Sequence, residues 1–159
     1  MARSRKRKVA AGDVATNRQA SWRYHLLERY EAGLALTGTE VKALRASGAQ
    51  VKDAYAVIRD GEAWLIGLYI APYGPANRAN HEPERERKLL LHRSEIERLI
   101  GKTQERGLTL VPTRVYFKGR NAKVEIALAR GKDTRDRRRD LKDREQRREI
   151  QRALAEHRG

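Results

Sequence analysis

Residues 51–73, VKDAYAVIRDGEAWLIGLYIAPY, alternate apolar and polar side chains on both sides of Asp60-Gly61. An Asp-Gly pair between two alternating runs is the strongest short-range signal for a β-hairpin, because both central turn positions need a positive φ that these residues tolerate. Whatever this chain folds into must therefore contain two tightly joined antiparallel strands. A second hairpin is written into residues 108–130, LTLVPTRVYFKGRNAKVEIALAR, turning at Lys118 to Asn121, with Val124, Ile126 and Leu128 alternating onto one face.

The remaining segments fit around these hairpins. YHLLERYEAGLAL, residues 24–36, reads as a further strand. In LTGTEVKALRASG, Thr37 and Glu40 stand three apart as a capping box and Gly48 follows as a stop, which predicts a short helix. LLLHRSEIERLIGK predicts a second helix with Ile96, Leu99 and Ile100 on one face and Gly101 at its end. Between them PYGPANRANHEPERER holds three of the four prolines and reads as a long polar loop. The fold class is mainly β with short helices. Five or six strands interrupted by two helices predict a small, partly closed antiparallel barrel, OB-fold-like, although the strand count also permits an open α+β sheet. Trp64 and Phe117 fall inside strands and read as core, whereas Trp22 and Tyr24 read as exposed or as a lid over one barrel end.

At 159 residues there is room for one domain with appendages. The net charge of +15 is distributed unevenly: residues 1–8 carry five basic side chains and no acid, residues 9–129 carry nineteen against fourteen, and residues 130–159 carry twelve against seven. Three regions follow: a basic arm over 1–16, a barrel over 17–130 and a basic tail over 131–159. The tail's apolar points are few, chiefly Leu141, Ile150, Ala153 and Leu154. Its composition favours helix, and Asp140 with Arg144 and Asp143 with Arg147 have the i,i+4 spacing that supports one. Without a tertiary face such a helix is marginal in water, so the tail is predicted to be disordered alone and helical when an anionic surface covers it.

Excess basic charge points to a phosphate-rich partner, since each neutralised phosphate releases condensed counterions. A membrane is disfavoured because neither tail carries an apolar face, and AWLIGLYIAP is far short of the roughly 20 residues that span a bilayer. MARSRKRKV lacks the apolar segment of a secretory signal, and the chain has no cysteine, which together predict a cytoplasmic protein without thiolate chemistry. No cofactor is expected. The histidines at 25, 81, 92 and 157 have no metal-ligand spacing, and no phosphate-binding glycine loop is present. His81 beside Glu82 is the one pair with the residue types for acid–base or nuclease work, and its everyday role is that of a polar loop. Glu40 has two roles open to it, helix capping and a contact with nucleic acid. Lys42 and Arg45, three apart, line one helix edge and suit either backbone phosphates or solvent. Composition and spacing alone reach a small, basic, β-rich nucleic-acid binder.

Specific stretches go further. YEAGLALTGTEVKALRA, VKDAYA, DGEAWL, RKLLLH, GLTLVPTRVYF, KVEIALARGK and DRRRDLKDRE, in this order and spacing, resemble the SsrA-binding protein (SmpB) family from Asn17 to about Leu154. The resemblance implies an OB-type barrel that binds the tRNA-like domain of transfer-messenger RNA (tmRNA) and carries it to ribosomes stalled without a usable codon, with no catalysis of its own. It implies as partners the small-subunit RNA, messenger channel and decoding region of the stalled ribosome, and elongation factor Tu with alanyl-tmRNA. A monomer is expected. Carried over by position, Asn17, Arg18, Glu31, Glu40, Lys42, Arg45, Lys88 and Leu91 are the implied tmRNA-facing set, with plain core as the other role open to Leu91. Lys132, Arg135, Asp136, Arg137 and Arg138 are the implied ribosome-contacting set. A general RNA chaperone or ribosomal-protein-like binder is the alternative that shares this charge and fold. The chain departs from the family pattern at Asp133, where a Lys is usual, at Arg135, where a ring is usual, and at Gln19, Ser21 and Trp22.

Overall fold

The Asp60-Gly61 turn forms with φ of +53° and +74° and joins β3 (Tyr55–Arg59) to β4 (Glu62–Ile66) with Arg59 opposite Glu62. These positions come from a computed structural model that describes residues 13–105 and 107–157. Ala56, Ala63 and Leu65 point inward and are buried. Trp64 corrects the sequence reading. It is half-buried rather than core, because the inward positions of its strand belong to Ala63 and Leu65, and the Arg59 guanidinium lies 5.3 Å from its ring centroid.

Around this hairpin the strands close into a ring. β6 (Leu108–Lys118) pairs with β3, β4 with β5 (Arg87–Leu90), β5 with β2 (Tyr24–Leu34), β2 with β7 (Asn121–Gly131), and β7 returns to β6. All the pairings are antiparallel. The expected OB-like barrel is thus borne out, and closure removes the sheet edges that would otherwise invite pairing with another chain. Leu44, Leu65, Leu68, Ile70, Leu89, Leu99, Leu110, Val115, Val124 and Ile126 fill its interior. Pro112, which has no N–H to give a ladder, sits where the β6–β7 register shifts between Pro112 and Arg114.

Two short segments differ from the sequence reading. β1 (Asp13–Thr16) pairs with β6, so these four residues lie against the barrel although composition alone groups them with the basic arm. Residues 1–12 of that arm lie outside the described residues. Gly48, at the end of α2 (Gly38–Ser47), lets β1 approach: its φ is +73°, and a Cβ there would stand 2.7 Å from the Val14 carbonyl oxygen. The second predicted helix is shorter at its start and longer at its end. Residues 87–90 are β5, held between β4 and β2, and α3 runs Arg93–Thr103 straight through Gly101. The Thr103 hydroxyl donates to the Leu99 carbonyl at 2.7 Å and closes the last turn.

α1 (Ala20–Arg23) is a single turn ahead of β2. The tail is one long helix, α4 (Thr134–Glu156), 23 residues or about 35 Å. Leu141, Ile150 and Leu154 on it are roughly half exposed. Neither predicted i,i+4 pair forms among the described residues; Asp140 turns back to Lys132 and Arg144 turns to Trp22, which separates the first of them.

Candidate nucleic-acid interface

The N-terminus of α2 is built on a buried charge cluster. Glu40 is fully buried, and its carboxylate accepts from the Thr37 backbone N–H at 3.0 Å, from Arg85 Nη2 at 2.5 Å and from Arg87 Nε. Arg87 is equally buried and also donates to the carbonyls of Leu68 and Pro83. Burial alone pushes the Glu40 carboxyl up, but the Thr37 N–H and the two guanidinium groups outweigh it and hold the group below the usual carboxylate range. Glu40 therefore presents no surface to a ligand. Of the two roles the sequence left open, the capping geometry is the one seen, and what the cluster offers outward is Arg85.

That guanidinium lines an open recess of about 390 Å³ together with Thr37, Gly38, Thr39, Lys42, Asn80 and His81. Lys42 is exposed, with its ammonium 5.9 Å from the Tyr73 ring centroid. His81 has both ring nitrogens engaged, Nδ1 with the Thr39 hydroxyl at 3.1 Å and Nε2 with the Ile70 carbonyl at 2.9 Å. The imidazole staples the loop onto α2, which leaves no ring nitrogen for the acid–base work considered with Glu82.

Arg45, on the same helix, lies with its guanidinium 4.2 Å from the Phe117 ring centroid. The next residue back along β6, Tyr116, belongs to a polar lattice on the β2–β7–β6 surface. Its hydroxyl donates to Glu31, which Lys118 also meets at 3.4 Å. Beside them Glu125 accepts from Arg29 at 2.8 Å, Thr113 at 2.9 Å and Arg114 at 3.3 Å, and Arg114 reaches on to Asp13 at 3.0 Å. Burial and the Glu31 carboxylate together push the Tyr116 phenol up to about 12. The Tyr116 hydroxyl, followed by Lys118, holds Glu31 below the usual carboxylate range. The lattice thus favours Glu31 and Glu125 as carboxylates and Tyr116 as a neutral phenol, a surface of fixed donors and acceptors rather than of free charge.

The other sequence-derived positions scatter around the barrel. Asn17 sits before α1, where its Nδ2 donates to the Pro112 carbonyl at 3.0 Å and its Oδ1 is buried without a partner. Arg18 is exposed. Lys88 on β5 is half-buried and meets Glu62 at 3.1 Å. Leu91 packs partly buried against the core. Sequence reasoning missed Arg85, Arg87, Tyr116 and Glu125. Nothing local marks them, since their partners lie as far as 96 residues away in the chain.

At the barrel–tail junction Asp133 caps α4, accepting from the Asp136 backbone N–H at 2.8 Å. The departure at this position thus has a physical use, since Asp is among the best N-cap residues and Lys is not. Asp136 Oδ2 accepts from His25 Nε2 at 3.0 Å, which holds its carboxyl below the usual range. Lys132 is inward-facing, its side chain 9% exposed. Arg135, Arg137 and Arg138 are exposed along the first turns.

A closed, basic barrel with stacked guanidinium groups on its surface and a long basic helix after it in the chain defines a small nucleic-acid-binding barrel. The family profile described as SmpB protein matches residues 14–156. Curated relatives include the SsrA-binding protein of Desulforudis audaxviator, 58% identical over 140 residues (88% of this chain, 92% of that one), and that of Carboxydothermus hydrogenoformans, 53% identical over 141 residues (89% and 95%). A solved chain from work described as "tmRNA-SmpB: a journey to the center of the bacterial ribosome" superposes with a TM-score of 0.65 at 52% identity, covering 77% of this chain and 86% of that one. The chain belongs to the SmpB family.

Proposed function

We propose that this chain binds the tRNA-like domain of tmRNA and delivers it to stalled ribosomes for trans-translation. Membership of the family carries the reading, and the division of the molecule supports it: a barrel with fixed polar surface groups, and a helix whose side chains are left for something outside the chain. On the barrel, Lys42, Arg45 and Arg85 meet phosphates along the α2 edge, Glu31 accepts from base or ribose donors, Asn17 holds the segment that presents Arg18 through its bond to the Pro112 carbonyl, and Arg18 and Lys88 extend the basic rim. Leu91 takes part only by its exposed fraction. Glu40 acts from inside by holding Arg85 and the helix start in place.

The tail helix occupies the empty messenger channel, where Arg135, Arg137 and Arg138 face ribosomal RNA near the decoding region. Arg135 stacks through its guanidinium plane where relatives use a ring. Beyond Arg144 no hydrogen bond, ion pair or ring contact ties the described residues to the barrel, so an anionic surface that covers this distal part is what steadies its helix on the ribosome. The chain works as a monomer in the cytoplasm, alongside elongation factor Tu carrying alanyl-tmRNA, and supplies binding and placement rather than a chemical step. Among the described residues no helix is long and apolar enough to cross a membrane. Reconstituted stalled ribosomes supplied with alanyl-tmRNA and elongation factor Tu test the proposal. Peptide tagging should appear when the chain is added, and tagging that proceeds equally without it contradicts the role.

A further inference from the structure

The tail helix touches the barrel at only a few points, and these converge on α1. The Lys132 backbone N–H donates to the Arg23 carbonyl at 2.9 Å and extends the β2–β7 ladder by one residue. Its ammonium then donates to the Ser21 carbonyl at 2.7 Å and to the Asp140 carboxylate. One nearly enclosed side chain thus joins the barrel to the second turn of α4. His25 with Asp136 at 3.0 Å, and the Arg144 guanidinium 5.2 Å from the Trp22 ring centroid, lie on either side of that bridge. Three separate contacts along one helix, at residues 136, 140 and 144, fall on a single face because they are spaced four apart.

We infer that Lys132 is a positioning residue: by bridging the Ser21 carbonyl and the Asp140 carboxylate it fixes the direction in which the tail helix leaves the barrel. The inference rests on the proposed role of the tail on the ribosome and gives Lys132 a different task from the RNA contact implied for it by its relatives. An ammonium enclosed by a carbonyl and a carboxylate of its own chain has little left to offer a phosphate. Its use is geometric. A helix pinned over its first three turns points its distal half in one direction, so that barrel-bound tmRNA and the tail arrive in register. Asp140 separates the two ideas. If the tail acted through charge alone, removing an acid would leave its action on RNA equal or stronger, whereas a clamp is lost whichever partner is removed.

The chain has no cysteine, so Ser94→Cys on α3 and Glu145→Cys on α4, both of them exposed positions, can carry spin labels in the full-length protein. Electron–electron distance measurement should give a narrow distribution in the otherwise native chain. It should broaden in Asp140→Asn and in Lys132→Gln, since a charge-assisted hydrogen bond is worth roughly a tenfold shift in such an equilibrium. It should stay narrow in Lys132→Arg, whose guanidinium can still donate to both the Ser21 carbonyl and the Asp140 carboxylate. Tagging on stalled ribosomes should fall in Asp140→Asn and persist in Lys132→Arg. A broad distribution in the native chain, or a narrow one in Asp140→Asn, overturns the clamp. Broad distances with full tagging in Asp140→Asn overturn its purpose. If instead a chain truncated after Gly131 still supports tagging, it is the reading of the tail that fails.

Discussion

In the barrel, acidic and basic side chains are matched with one another. Asp13 meets Arg114, Glu28 meets Arg98, Glu62 meets Lys88, Glu86 meets Arg59, Glu125 meets Arg29, and Glu40 is enclosed by Arg85 and Arg87. Among the described residues of the tail, the only acids that meet a basic side chain are Asp136 and Asp140, and both reach back toward the barrel. Most of the surface pairs contribute little to stability individually, being partly exposed. Their effect is to fix where each donor and acceptor stands. The tail fixes nothing past its first turns and keeps its charge available. The difference teaches that the same residue types serve two purposes here, shape in one region and attraction in the other.

Cutting the chain after Gly131 separates the two regions and has the largest expected effect: tagging on stalled ribosomes disappears, while the thermal transition of the barrel stays where it was. A barrel that melts markedly earlier would show that the tail also holds the fold together. Next in size is Glu40→Gln, which leaves the Arg87 guanidinium buried without its counter-charge. It should cost about 3–5 kcal/mol, seen as a drop in melting temperature on the order of 10 °C. Because the folded state holds this carboxyl below its usual 4.5, the native chain binds fewer protons there than the unfolded one. Its contribution is complete above that value and is lost as pH falls through the lowered one. Glu40→Gln should flatten the acid side of the stability curve, and an unchanged acid limb would show that Glu40 does not govern the acid stability of the barrel.

Binding is tested at the α2 edge. Lys42→Ala with Arg45→Ala should weaken tmRNA binding at physiological salt and lower the slope of log affinity against log salt by about 2, one for each phosphate no longer neutralised. The far-ultraviolet spectrum should not change, since both side chains are exposed. Equal affinity would move the interface off the α2 edge. The smallest effect is expected at the helix start, where Asp133→Ala removes a cap worth about 1 kcal/mol. Circular dichroism should register it as reduced tail helicity, with the barrel transition untouched.

Much of the barrel is legible in the sequence because its information is local. Asp60-Gly61 and the Lys118–Asn121 turn specify their hairpins, and alternation assigns Val124, Ile126 and Leu128 to the interior. Thr37 with Glu40 marks the start of α2. What is not legible depends on partners distant in the chain. Nothing near Arg87 says that it will be fully buried, since its carboxylate lies 47 residues earlier. Trp64 looks like core until the ladder assigns the inward positions to its neighbours. β1 is four residues of no clear pattern that become a strand only because β3 pairs with β6 at Leu110 and leaves residues 114–116 open on that side. Leu89 and Leu90 fit a helix by periodicity and are claimed by a strand on each side. The interface shows the same division. Lys42 and Arg45 can be proposed from spacing, whereas Arg85, Tyr116 and the Lys132 bridge exist only once the ring closes.

The central claim is specificity for tmRNA, and a competition isotherm between tmRNA and bulk tRNA over a salt series, with the full-length chain, tests it most directly. Counterion release predicts that affinity for both RNAs falls as salt rises. Throughout the series tmRNA should stay the tighter ligand. Equal affinity for the two RNAs at every salt concentration would contradict the claim and leave a general RNA binder in its place.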